Sequence, residues 1–107
     1  MDELHRRFLP QFVALSRTRV AAAIAAVESR ERAAGASIVH EMHKIAGEAG
    51  LLGLSPLIGI ARDAELKAKQ LQASGGEADA ELVIGALRAV DRQLDGLAAA
   101  LADLRLA

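Results

Sequence analysis

Apolar positions recur along this chain in steps of four and three, and the recurrence falls into separate blocks. Leu9, Val13, Ser16, Val20, Ala23 and Val27 make the first stripe, on a helix expected over about Gln11 to Glu28. Ala34, Ile38, Met42, Ile45, Ala49 and Leu52 make the second, expected over Ala33 to Leu52. Leu57, Ile60, Ala64, Ala68 and Leu71 follow over Pro56 to Ala73. Val83, Leu87, Val90, Leu94, Leu97, Leu101 and Leu104 complete the set over Ala78 to Leu104. The breaks carry their own signals. Gly53 supplies a C-terminal stop, and Ser74-Gly75-Gly76 is the clearest interruption. Ser29 to Arg32 is polar and reads as a turn. Ser55-Pro56 reads as an N-cap followed by the first helical position. Pro10 is expected to separate a short opening helix, Asp2 to Leu9, from the helix behind it. Phe8 and Phe12, four apart, would pin that opening segment onto the bundle end. Stripes joined by short connections must bury one another. The expected fold is therefore all-α: one domain over residues 1–107, an antiparallel four-helix bundle with a short additional N-terminal helix.

Composition narrows the functions open to such a bundle. The 107 residues are 52% hydrophobic and only 2% aromatic, which suits helices and argues against a β-sandwich or barrel. There is no cysteine, which removes disulfides, Cys-based metal sites and thiol catalysis. Thirteen Lys+Arg against 14 Asp+Glu give a formal charge of −1, no footprint for nucleic acid or an anionic membrane. The N-terminus mixes charges of both signs with no apolar run behind it, unlike a signal peptide. The longest uncharged stretch, Ala49 to Ala61, is broken by three glycines and Pro56, so no membrane span is expected. A cytoplasmic location is the expectation.

One segment departs from the bland pattern: His40-Glu41-Met42-His43-Lys44-Ile45-Ala46-Gly47-Glu48-Ala49-Gly50. With Met42 and Ile45 facing the core and about 100° of turn per residue, His43 points about 140° from the stripe centre, toward solvent. Gly47 lies four residues on, on the same outer face. Helical side chains lean toward the N-terminus, so a larger residue at position 47 would lean over the imidazole. Each interior glycine costs the helix about 1 kcal/mol relative to alanine. An exposed histidine alone is ordinary. One with glycines at positions 47 and 50, in a chain so rich in alanine, is a candidate nucleophile left uncovered.

The run from His43 to Leu54 resembles the signature of histidine-containing phosphotransfer (HPt) domains: histidine, any residue, an aliphatic, usually Lys or Arg, glycine, then Gly-Leu five or six residues on. Leu57, Ile60 and Glu65 sit where that family usually has Leu, Leu and the Glu of a Leu-Glu pair. Two positions differ: Ala46 stands where the family has Lys or Arg, and Ala64 precedes Glu65 in place of leucine. The resemblance implies a phosphoryl carrier in a His–Asp relay, not an autonomous enzyme. His43 would be the phosphoacceptor, exchanging phosphate with the aspartate of a response-regulator receiver domain, with a hybrid or sensor histidine kinase as the other partner. Imidazole, with an unperturbed pKa of about 6.5, is a competent neutral nucleophile near pH 7. The chain itself would hold no cofactor or metal, Mg²⁺ being expected on the receiver. Gly47 and Gly50 would admit the receiver's loops, and Val39, His40, Ala36 and Lys44 would border the docking patch. Lys44, about 100° round the helix from His43, is an imperfect substitute for a cation at position 46.

Three alternatives stand beside this reading. His40-Glu41-Met42 resembles the start of a kinase dimerisation helix, which would make His40 the acceptor. His40, His43 and Glu41 could share a metal. A degenerate HPt-like or dimerisation bundle could bind receiver and kinase partners without accepting phosphate, and Ala46 favours that version. Arg17, Arg62, Lys67 and Lys69 read as solvated charge, any one of which could approach the histidine from a neighbouring helix.

Overall fold

The computed structural model describes residues 3–106, with the side chains of Leu4, Arg105 and Leu106 left out of the description. Four helices account for nearly all of it: α1 (Glu3–Glu28), α2 (Ala34–Leu51), α3 (Ser55–Ser74) and α4 (Glu77–Leu106). Among the described residues there is no strand. Each helix touches two others: α1 packs on α2 and α4, and α3 on the same two. The bundle is elongated, 47 × 22 × 17 Å. A 30-residue helix is about 45 Å long, so α4 sets the long dimension. Gly35, near the start of α2, meets Gln72, near the end of α3, while Gly50 at the end of α2 meets Ile58 near the start of α3.

The stripes converge as their spacing requires. Val20, Val27, Ile38, Met42, Ile45, Leu57, Val83, Leu87, Val90 and Leu94 are all fully buried, and Ser16 is buried among them. The buried arc is wider than an a/d seam. It takes in Ala46, Ala61, Ile84 and Ala86, because a helix with two neighbours buries more of its circumference than one with a single partner. At the C-terminal end the seven-residue pattern outruns its partners: Leu97 and Leu101 are half-buried and Leu104 is 69% exposed.

The separate opening helix is not present. Glu3 to Glu28 is one helix with Pro10 inside it. Proline there forfeits the bond its N–H would make to the Arg6 carbonyl. Leu9, Phe12 and Val13 are buried around that point, so tertiary packing holds the first turns in line despite the missing bond. Phe12 belongs to the core, while Phe8 is left 46% exposed rather than pinning a separate segment. Asp2, where that segment was expected to begin, lies outside the described residues.

The turns follow the glycines, with one exception. Leu54 N–H bonds the Ala49 carbonyl at 2.9 Å and Gly53 N–H bonds the Gly50 carbonyl at 3.3 Å. These are the two bonds of a Schellman motif, with Gly53 at φ 72°. Gly75, at φ 63°, closes α3 in the same left-handed region. α3 starts one residue earlier than expected, with Leu54 as its cap and Ser55 already helical. The exception is Arg30, a non-glycine at φ 53° after α1. Its guanidinium reaches across to Glu77 and Glu81 at the start of α4.

Candidate functional site

Met42 and Ile45 are both fully buried, which fixes the rotation of α2 and turns His43 outward. The His43 side chain is 80% exposed, as its spacing predicts, yet it is not isolated. Its Nδ1 lies 3.4 Å from Glu65 Oε1 on α3, and Glu65 is only 13% exposed. The other oxygen, Oε2, lies 3.4 Å from Lys69 Nζ, one turn further along α3. A single shielded carboxylate thus stands between an imidazole and an ammonium. At 3.4 Å the imidazole contact is longer than a normal hydrogen bond, so it is an electrostatic approach that can tighten when the ring gains charge.

A carboxylate at one ring nitrogen selects the tautomer. Glu65 can only accept, so it favours the proton on Nδ1 and leaves the lone pair on Nε2, at the far edge of the exposed ring. That is the condition for a nucleophile. A side chain grown at Gly47 would meet nothing within 4 Å, so packing does not require glycine there. At Gly50 the nearest atom is Ile58 Cδ1 at 3.8 Å, an ordinary contact. Close helix approach, which could have accounted for Gly50, does not. Gly35 is the glycine that packing needs, since its Cβ would lie 3.1 Å from the Gln72 backbone.

The remaining candidates divide between the two sides of His43. Val39 is half-buried, and His40, Lys44 and Ala36 are exposed. Ala46, 4% exposed, sits about 60° round α2 on the side of α3, whereas Lys44 lies about 100° round on the other side. Lys44 therefore does not share the flank of Glu65. His40, His43 and Glu41 are not gathered into one set. Glu41 turns to Arg19 of α1, with Oε2 3.6 Å from Nε, and no metal-holding group of three occurs among the described residues. Of the four outlying cations, Arg17 pairs with Asp95 at 2.7 Å and Lys67 with Asp63 at 2.6 Å. Lys69 is the one tied to the histidine through Glu65. Its signal was present as an acidic and a basic residue at i and i+4 on α3, but nothing in the sequence says which neighbouring side chain completes the group.

The Hpt domain family model matches residues 7–105, nearly the whole chain. The chain belongs to the Hpt domain family. Hpt domains are helical bundles that carry out histidine phosphotransfer in phosphorelays, interacting there with receiver domains and histidine kinases. No curated protein and no solved structure gives a match. In this Hpt domain no helix among the described residues is long and apolar enough to cross a membrane.

Proposed function

We propose that this Hpt domain carries a phosphoryl group on Nε2 of His43, exchanging it with the aspartate of a response-regulator receiver in a relay fed by a hybrid or sensor histidine kinase. The observation that carries the reading is the approach of Glu65 to Nδ1 of the exposed His43 ring, 3.4 Å, which favours the proton on that nitrogen and the lone pair on Nε2. The Nε2 lone pair forms the N–P bond. The P–O bond to the receiver's aspartate breaks in line, and its electron pair leaves on that carboxylate. The ring, still protonated at Nδ1, gains positive charge, and Glu65 opposes that charge at close range. Neutralisation of the phosphoryl oxygens from the partner's side would come from the Mg²⁺ expected on the receiver.

Gly47 and Gly50 keep the approach to the ring open, and Val39, His40 and Lys44 border it. Past Gly47, a mostly apolar groove of about 500 Å³ between α1 and α2 is lined by Phe8, Phe12, Leu15, Leu51 and Leu52, with His5, Gln11 and Glu48 also on its wall, and suits an apolar patch on the receiver. The bundle is read as antiparallel throughout, as the end-to-end contacts of α2 with α3 support.

The test is acceptor mapping with a phosphorylated receiver. His43→Gln is expected to abolish acid-labile labelling and His40→Gln to retain it. Labelling lost only in His40→Gln would move the acceptor. Receiver binding without transfer to the wild type would favour the degenerate, non-accepting reading.

A further inference from the structure

The site has a carboxylate for the ring but, with Ala46 on the flank of α2 that faces α3, no cation on that flank of the helix for the phosphoryl group. We infer that Lys69 supplies it: at rest it is docked on Glu65, and it turns to the phosphoryl oxygens when His43 is phosphorylated. The inference rests on His43 as acceptor and adds a residue to that site. Lys69 Nζ and His43 Nδ1 occupy the two oxygens of one carboxylate. Directions then favour a meeting. Gly35 lies against Gln72, His43 against Glu65 and Gly50 against Ile58, so one turn back along α2 corresponds to one turn forward along α3. Helical side chains lean toward the N-terminus of their own helix. His43 therefore leans toward the level of Lys69, and Lys69 leans back toward the level of His43.

Charge gives the exchange its direction. Before transfer Glu65 is shared between the imidazole and an ammonium. After transfer the ring is cationic and claims the carboxylate, while the phosphoryl group brings two negative charges within reach of a long, flexible lysine. The other cations fit less well. Lys67 is held by Asp63 and Arg17 by Asp95. Lys44 lies on the far side of His43 from α3. Arg62 is exposed on the same strip of α3, but it leans toward the Gly50 end, away from the ring.

The experiment uses the whole chain with phosphoramidate as phosphodonor, followed by ³¹P NMR of phosphohistidine formation, with a thermal melt of each variant. Lys69 is 58% exposed, so its replacement should leave the melt unchanged. Lys69→Ala is expected to slow formation by about 3–10-fold, the effect of an exposed charge that must first turn from Glu65. Lys69→Arg should restore most of the rate, Arg62→Ala should match wild type, and the Lys69 Nζ resonance should move on phosphorylation of wild type. Wild-type rates in Lys69→Ala, or a loss in Arg62→Ala as large as in Lys69→Ala, would overturn the inference. Labelling of His43→Gln at the wild-type rate would instead remove the acceptor assignment itself, so the two failures are distinguishable.

Discussion

Gly35 and Gly47 occupy the same helix and do opposite things. A Cβ at position 47 meets nothing within 4 Å, whereas one at position 35 lies 3.1 Å from the backbone of Gln72. Gly47→Ala is therefore expected to stabilise the domain by about 1 kcal/mol, the helix-propensity difference. Gly35→Ala is expected to destabilise it, since overpacking of about 1–3 kcal/mol exceeds that gain. Denaturant melts check both, and a Gly47→Ala variant less stable than wild type would contradict the reading. The glycine that packing does not require is thus separable from the one left small for packing. The exposure of His43 was legible from the phase of Met42 and Ile45. The Glu65–Lys69 arrangement beside it was not, because its register across α2 and α3 is set by packing between helices, not by spacing along either one.

Helix order and most boundaries were legible, because the four-and-three stripes and the glycines at positions 53 and 75 are local signals that the fold obeys. Pro10 misled because its local rule competes with the burial of Leu9, Phe12 and Val13, and burial wins. Arg30 carried no local signal at all. Its left-handed backbone is held by contacts to the start of α4. The hydrogen bond from Arg30 holds the Glu77 carboxyl below its ordinary value of 4.5 and, reciprocally, raises the guanidinium. A carboxyl lowered on folding contributes stability above its unfolded value, and loses it as pH falls through the folded one. Stability of the wild type is thus expected to drop more steeply below about pH 4.5 than that of Glu77→Gln, as urea midpoints would report. Parallel pH profiles for the two would contradict this role for the pair.

Taken whole, the bundle leaves an apolar groove open on one side. The groove lies between α1 and α2, and Leu51, one turn on from Gly47, lines it with most of its side chain exposed. Leu51→Glu is expected to weaken binding of a cognate receiver by about tenfold, about 1.4 kcal/mol, by burying a charge against apolar groups. It should leave phosphorylation by phosphoramidate unchanged, because a small donor needs no groove. Calorimetry that gave both proteins the same affinity would place the docking surface elsewhere. The central claim lies at a single atom. Proton–phosphorus correlation NMR of the phosphorylated domain tests it most directly. The predicted result is one phosphoryl group on Nε2 of His43. A phosphoryl group on His40, on Nδ1 of His43, or on no histidine after incubation with competent donors would contradict it.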